Sequence, residues 1–204
     1  MLPPVAAPEG EGGYELLFEQ MGTPVLFDPC RPIHWVMRMS GAPPDGEALL
    51  REGFGTLSRA TGLQFVYDGH TDEAYDVQRS LVQQDRYGNQ YAPVLVTWSD
   101  PKESRDLAGD IAGFAGPMGG DPDGAGPRLL SGAVVLDSPQ LAKMRTHPES
   151  LGVVLHELGH LVGLGHVDDP TDSMHARSGP ATAYTVGALR GLAVVGNGPC
   201  FLQS

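Results

Sequence analysis

Three histidines and a glutamate in the second half of the chain have the types and spacing of a metal site. His156 and His160 are four residues apart, so on an α-helix they lie on one face, one turn apart. Zinc in a hydrolytic site takes three protein ligands and leaves a position for water, and His166 can supply the third. Gly163 can adopt positive φ, end the helix and let the chain turn back. The pattern predicts one zinc ion bound by these three histidines.

Glu157 follows the first histidine, about 100° further around the helix. Its carboxylate can therefore reach a zinc-bound water, which loses its proton near neutral pH, and act as a general base. The alternative is a surface or core helix that happens to contain histidines. The fixed offsets of three histidines, a glutamate and a glycine favour the zinc site.

The motif H-E-x-x-H-x-x-G-x-x-H resembles that of the metzincin clan of zinc peptidases, which also have a methionine turn beneath the metal. After His166 the chain reads Val-Asp-Asp-Pro-Thr-Asp-Ser-Met-His, which is similar to the matrixins, and Met174 stands at the matrixin spacing. The resemblance implies a zinc endopeptidase with Glu157 as its catalytic base. Asp169 is a candidate for steadying the loop that carries His166. The loop 175–183 is shorter than its matrixin counterpart.

The same resemblance implies an α+β fold. Its parts are a twisted, mixed, mostly parallel sheet with an antiparallel edge strand, an active-site helix, and a small C-terminal subdomain with the methionine turn and a final helix. We expect an N-terminal arm at 1–28 and a catalytic domain at 29–204, divided into an upper subdomain to about 163 and a lower subdomain 164–204. The arm is rich in proline and glycine, which predicts that it is loosely held, although part of it could pack on the domain.

The hydrophobic and turn patterns predict the elements of this fold in order. They are a strand at 32–39, a helix at 45–60, strands at 63–67, 94–98, 111–115 and 133–137, a helix that opens at Pro148, and a last helix at 184–195. Asp45 is the candidate cap of the first helix. Glycines in the last helix cost stability in isolation, so tertiary packing must hold it.

By the resemblance, residues 109–115 form the edge strand, and the free backbone of Gly113, Phe114 and Ala115 binds an extended peptide by strand addition. Gly152 stands four residues before the first zinc histidine, where matrixins shape the pocket for the side chain after the scissile bond. A glycine there leaves the pocket open on that side. The expected partner is a protein or peptide substrate.

The chain departs from matrixins in its other metal sites. Matrixins place structural-zinc histidines around the edge strand, and 107–114 contains none, so we predict no second zinc. Two polar loops contain candidate metal ligands, for calcium or a second zinc in the first loop and for calcium in the second. Polar loops collect such residues anyway, so loops without a metal are favoured. The residues concerned are His70, Asp72, Glu73 and Asp76 in one loop, and Asp121 and Asp123 in the other.

The two cysteines, Cys30 and Cys200, lie near opposite ends of the chain. A disulfide between them fits an exported enzyme, and matrixins place the N-terminal segment against the last helix, which makes this pairing sensible. One rival makes Cys30 a latency cysteine that plugs the zinc, although Asp-Pro-Cys-Arg-Pro departs from the family's Pro-Arg-Cys-Gly. Free thiols are the other rival.

Composition narrows the remaining classes. A chain of 204 residues with 41% hydrophobic residues suits one domain, and its net charge of −12 disfavours nucleic acid and anionic membranes as partners. No apolar run is long enough to span a membrane. The first residues lack a signal-peptide pattern, so either the protein is cytosolic or a signal peptide has been removed. We favour removal and expect a secreted monomer. Two alternatives stay open: a zinc-fold binding protein without catalysis, and a zinc amidase acting on non-protein amides.

Overall fold

The computed structural model of the protein describes residues 2–177 and 181–201. Its strands are β1 (Glu19–Gln20), β2 (Thr23–Pro24), β3 (Ile33–Arg38), β4 (Phe65–Thr71), β5 (Val94–Ser99), β6 (Gly113–Gly120) and β7 (Arg128–Asp137). Its α-helices are α1 (Gly46–Thr61), α2 (Gln84–Tyr87), α3 (Ser138–Leu141), α4 (His147–Leu161) and α5 (Val186–Gly196). Within the described ranges, no helix combines the length and apolar character needed to cross a membrane.

The five longer strands form one sheet in the order β4-β3-β5-β7-β6. The first four strands in this order run parallel, and β6 pairs antiparallel with β7 at one edge. The prediction of a mostly parallel sheet with an antiparallel edge strand is confirmed. The narrower assignment to a metzincin fold stays a prediction.

The edge strand lies further along the chain than the predicted range 109–115. β6 begins at Gly113 and stays paired with β7 as far as Gly120 opposite Arg128. Glycine is a weak strand former, so strand propensity alone predicts a loop at Gly119 and Gly120. The ten-residue β7 nevertheless offers a continuous row of backbone partners, and pairing overrides propensity.

Helices α1 and α4 cover one face of the sheet and bury the main core against it. Trp35 of β3 stacks on Phe54 of α1, with ring centroids 4.2 Å apart. The two helices approach closely at Gly53, where a Cβ would lie 2.6 Å from Cγ1 of Val154. The helix predicted at 45–60 therefore buries one face in the main core, and Gly53 sets its distance from α4. Asp45 precedes α1 but makes no side-chain capping bond.

The segment 72–93 covers part of the other face, where Tyr75 and Tyr87 pack against a small apolar cluster. A buried ion pair anchors this segment: the Arg79 guanidinium donates to both carboxylate oxygens of Glu73, at 2.7 and 3.1 Å. Arg79 also donates to the hydroxyl of Ser131 at 3.1 Å and to the carbonyl of Gly132 at 3.4 Å, both in β7. The ion pair thus fixes Arg79 within the segment, and the hydrogen bonds of Arg79 to β7 attach the segment to the sheet.

Both ends of the chain lie against the domain. Cys30 and Cys200 form a disulfide across a sequence separation of 170, with their Cα atoms 5.5 Å apart, as predicted. Residues 10–17 pack along α5 and reach the turn after α4, so part of the arm lies on the domain, the alternative that the sequence left open. Backbone hydrogen bonds and glycine contacts hold this part of the arm, and neither is visible in a composition.

Candidate metal centre

Helix α4 presents His156 and His160 on one face. Its first turn is a capping box, in which the Thr146 hydroxyl accepts from the Glu149 N–H and the Glu149 carboxylate accepts from the Thr146 N–H. Pro148 stands in that first turn, as the sequence predicted. The Nε2 atoms of the two histidines are 3.0 Å apart.

The chain reverses direction after α4 and returns the third histidine to the first two. Gly163 has φ +108°, which only glycine adopts readily, and it lies at the reversal. Nε2 of His166 is 3.3 Å from Nε2 of His156 and 3.0 Å from Nε2 of His160. A zinc ion about 2.0–2.1 Å from each of three tetrahedrally arranged nitrogens would space them about 3.3 Å apart. The triangle of nitrogens fits zinc.

Backbone carbonyls orient two of the three rings. Nδ1 of His156 donates to the carbonyl of Ser173 at 2.7 Å, and Nδ1 of His160 donates to the carbonyl of Leu164 at 2.7 Å. A proton held on Nδ1 leaves the lone pair on Nε2, the atom that faces the other rings. The two carbonyls therefore select the tautomer that binds a metal.

The three rings are neutral at neutral pH. Burial lowers the pKa of His160 to about 4, and it also lowers the pKa values of His156 and His166. Charge repulsion from His166 also lowers the pKa of His156, and charge repulsion from His156 and His166 lowers the pKa of His160. Three neutral imidazoles converging on one point are a ligand set and cannot form a salt-bridge network.

Glu157 lies beside the histidines with a carboxylate that is not hydrogen-bonded on one side. The residue is buried, and its Oε2 has no hydrogen-bond partner among the described residues. Burial raises the pKa of Glu157 to about 8. Gly113 of the edge strand packs against the Glu157 side chain: a Cβ at Gly113 would lie 3.0 Å from Cγ of Glu157. An orphaned buried carboxylate suits a site that holds a water on a metal.

Met174 lies beneath α4 and is 1% exposed. Its Sδ is 2.6 Å from the point where Gly159 would carry a Cβ, so the sulfur fills the space that the glycine leaves. Gly159 stands between the two histidines of the helix. Sequence reasoning singled out Met174 but missed Gly159, although a glycine inside a helix is a signal of close packing.

Asp172 organises the loop between His166 and Met174. Its carboxylate accepts from the N–H of Met174 at 2.8 Å and from the hydroxyl of Thr185, just before α5. Asp169, the sequence candidate for steadying this loop, accepts from the N–H of Thr171 at 2.8 Å. The buried Asp172 was missed, because nothing in the sequence distinguishes it from the other aspartates of the same run.

A surface cavity of about 600 Å³ opens beside His156. Gly152 lines it, and the space that a side chain would take at Gly152 is filled by the carbonyl of Ala181, 2.6 Å from the Cβ position. Residues 178–180 of the loop 175–183 lie outside the described residues.

Phe114 of the edge strand contacts Tyr75 edge-on, with centroids 5.2 Å apart.

The acidic side chains considered for calcium pair with other groups. In the first loop, Asp72 pairs with Arg86, Glu73 with Arg79 and His70 with Glu47, while Asp76 accepts from the Gln78 N–H. In the second loop, Asp123 pairs with Arg128, and Asp121 accepts from the Gly126 N–H. These partners compensate the charges of the loop side chains. That the loops do not bind calcium stays a prediction.

Comparison with known proteins finds no family model that matches the chain and no curated protein that matches it. Among solved structures, the chain is similar to archaemetzincin from Methanopyrus kandleri, with a TM-score of 0.49 and 14% sequence identity. The similarity covers 79% of this chain and 92% of that one. What this protein does therefore has to follow from its own residues.

Proposed function

We propose that this protein is a zinc-dependent endopeptidase of the metzincin type, most similar to a minimal matrixin-like catalytic domain. The observation that carries the proposal is the convergence of the Nε2 atoms of His156, His160 and His166 within 3.0–3.3 Å of one another. Glu157 follows His156 in the same helix, and its Oε2 has no hydrogen-bond partner among the described residues. The archaemetzincin similarity is compatible with a zinc peptidase, but the site geometry is the support.

The proposed mechanism assigns one task to each group. A zinc ion held by the three histidines would supply a Lewis acid, which can polarise a carbonyl and lower the pKa of a water. Burial raises the pKa of Glu157 to about 8. The positive charge of a cation held by the histidines would lower it again, so that Glu157 could accept a proton at Oε2 and pass it to the leaving amine. The Ser173 and Leu164 carbonyls keep the rings in the metal-binding tautomer.

The proposed substrate is an extended polypeptide. The outer edge of β6 at Gly113, Phe114 and Ala115 carries backbone groups that can pair with such a chain by strand addition. Gly113 also contacts Glu157, so a strand bound there passes the catalytic carboxylate. The cavity beside His156 is the candidate pocket for a side chain next to the cut bond.

We propose that the enzyme acts outside the cell as a monomer. The disulfide between Cys30 and Cys200 supports this compartment, because disulfides persist in oxidising environments and are rare in the cytosol. A thiol committed to this bond does not plug the zinc, so the latency role for Cys30 is not proposed.

Two other functions use the same site. A binding protein that kept the zinc fold without turnover would not need Glu157, and a zinc amidase acting on non-protein amides would not need the free edge of β6. The buried Glu157, whose Oε2 finds no partner in the described part of the chain, favours catalysis over binding. The free edge strand favours a polypeptide over a small amide.

The test is a digest of casein or gelatin by the zinc-loaded protein, with and without a chelator. Glu157→Ala should lose roughly 10³-fold or more in cleavage rate while keeping its zinc, because it removes the base and no ligand. Glu52→Ala is the matched control, since Glu52 is exposed and bonds His147 at the start of α4, away from the histidines that hold the metal. It should cleave at the wild-type rate.

Each rival has its own outcome. If the wild-type protein binds one zinc, cuts no polypeptide and behaves as Glu157→Ala does, the peptidase proposal is wrong and the binding protein is supported. If it hydrolyses acetylated small amides but no polypeptide, and this activity needs Glu157, the amidase is supported.

A further inference from the structure

The N-terminal arm, residues 10–17, makes a backbone bridge to the turn that connects the second and third histidines. Leu16 pairs with Leu164 as an antiparallel bridge. The Leu17 N–H donates to the carbonyl of Gly163 at 2.8 Å, and the Gly165 N–H donates to the carbonyl of Glu15 at 2.8 Å. The bridge thus ends one residue before His166.

Leu164, at the centre of this bridge, also touches the second histidine. Its carbonyl accepts from Nδ1 of His160 at 2.7 Å, and its N–H donates to the carbonyl of Gly159 at 2.9 Å. Its side chain is fully buried, with Cδ2 2.7 Å from the Cβ position of Gly191 in α5. One residue therefore links the arm, the ring orientation of His160 and the path to His166.

The arm itself is seated on α5 at two glycines one turn apart. At Gly187 a Cβ would lie 2.4 Å from the carbonyl of Gly13, and at Gly191 it would lie 2.9 Å from Tyr14. The Arg190 guanidinium donates to the carbonyls of Gly10 and Gly12, at 3.2 and 3.1 Å. These contacts explain why α5 carries glycines that would weaken an isolated helix.

The turn depends on the arm for two of its backbone hydrogen bonds. Two of its three residues, Gly163 and Gly165, are glycines, which have the largest conformational freedom of any residue. The Gly165 N–H and the Gly163 carbonyl both find their partners in the arm. Without the arm, these groups would be paired by water and the direction of His166 would be set less closely.

We infer that the N-terminal arm is a positioning element of the metal centre. Its backbone at Glu15 and Leu17 holds the turn 163–165 in the one conformation that brings His166 to the other two rings. This inference rests on the proposed zinc site but not on the nature of the substrate. The arm therefore sets the zinc affinity, and releasing it weakens zinc binding in a protein that is still folded.

The first test removes one hydrogen bond of the bridge. Leu17→Pro deletes the N–H that donates to Gly163, and Leu17→Ala keeps that N–H while removing the exposed side chain. The zinc dissociation constant is measured for the full chain by competition with a chromophoric chelator, at a temperature where each apoprotein is fully folded by circular dichroism. Leu17→Pro should bind zinc roughly 10-fold or more weakly, the usual loss when a ligand's support is removed. Leu17→Ala should bind as the wild type does.

A second pair of variants tests the seat of the arm and decides the question if Leu17→Pro does not fold. Gly12 has φ +147°, and a Cβ there would lie 2.7 Å from the Gly187 nitrogen, so Gly12→Ala should lift the arm from α5. The neighbouring Gly13 has open space around its Cβ position, so Gly13→Ala is the matched control. Hydrogen exchange at the Gly165 amide should speed up in Gly12→Ala and not in Gly13→Ala.

The outcomes separate this inference from the proposed function. A structural role alone would lower the unfolding temperature of the apoprotein and leave the zinc dissociation constant of the folded state unchanged, and that result in Leu17→Pro or Gly12→Ala overturns the inference. A wild-type protein that binds no zinc overturns both. If the wild type binds zinc but cuts no polypeptide, only the peptidase proposal is wrong, and the affinities still decide the role of the arm.

Discussion

The sulfur of Met174 occupies the space that a side chain at Gly159 would need, 2.6 Å from the missing Cβ. Gly159→Ala should therefore push Met174 out of its buried position and destabilise the protein by about 1–3 kcal/mol, the usual cost of overpacking. It should also weaken zinc binding, because Gly159 lies between two ligands on the same helix. Chemical denaturation and chelator competition measure the two effects.

The same contact can be isolated by a double-mutant cycle. In a Met174→Ala background, Gly159→Ala has no sulfur to displace, so its cost should fall, with a coupling free energy on the order of 1 kcal/mol. Equal costs of Gly159→Ala in the two backgrounds would show that the methionine and the glycine do not interact.

The metal ligands could be predicted from the sequence because their geometry is local. A spacing of four residues on a helix places His156 and His160 on the same face. A short glycine turn then limits the positions that His166 can reach. The positions of the strands along the chain were predictable for a similar reason, because alternating and continuous apolar residues indicate which faces of a strand are buried. Element ends were not, because the pairing of β6 with β7 overrides the low strand propensity of glycine.

The supports of the site were not predictable, because they are backbone contacts between distant segments. The bridge from Leu17 to Gly163 uses N–H and carbonyl groups that every residue carries, so no side-chain pattern marks it. Glu73 was assigned to a polar loop and its pairing with Arg79 was not predicted, because charged residues are rarely buried. Only the folded chain shows that both are almost excluded from solvent.

A second glycine sets the distance between α1 and α4, and its neighbour offers a control. Gly53→Ala should cost about 1–3 kcal/mol, because the new Cβ would meet the β-branched Val154 at 2.6 Å. Gly55→Ala, in the same helix, would approach only the flexible end of Arg59 at 3.5 Å. It should stabilise the protein by about 0.5–1 kcal/mol through helix propensity. Urea denaturation of both variants checks the opposite signs.

Removing the cation of the buried ion pair should destabilise the protein far more than removing a surface one. Arg79→Met leaves the Glu73 carboxylate buried without its partner, at a cost of about 3–5 kcal/mol. Arg86→Met breaks the exposed pair with Asp72 and should cost about 0–1 kcal/mol. Similar losses of unfolding free energy in the two variants would mean that the Arg79 pair does not anchor the segment 72–93.

The contribution of Glu73 to stability should disappear in acid. Burial alone would raise the pKa of Glu73, but hydrogen bonds from Arg79, Gln83 and Tyr87 together outweigh it and hold the pKa below the ordinary value of 4.5. Its contribution is therefore fully present above about pH 4.5 and is lost as the pH falls through the lower folded-state pKa. Unfolding free energies of wild type and Glu73→Gln should differ at pH 7 and converge in acid. A difference that stays constant with pH contradicts this origin.

The disulfide should matter most for the ends of the chain. It joins residues 170 positions apart, so its loss frees a long loop in the unfolded state and should cost about 2–5 kcal/mol. Cys200→Ser, and wild type treated with a reductant, should both show this loss by thermal denaturation. Zinc affinity should change little, because the bond lies at Cys30 and Cys200 while the arm reaches the metal centre through residues 15–17. A reductant that strips the zinc as readily as a chelator would show instead that the disulfide supports the site.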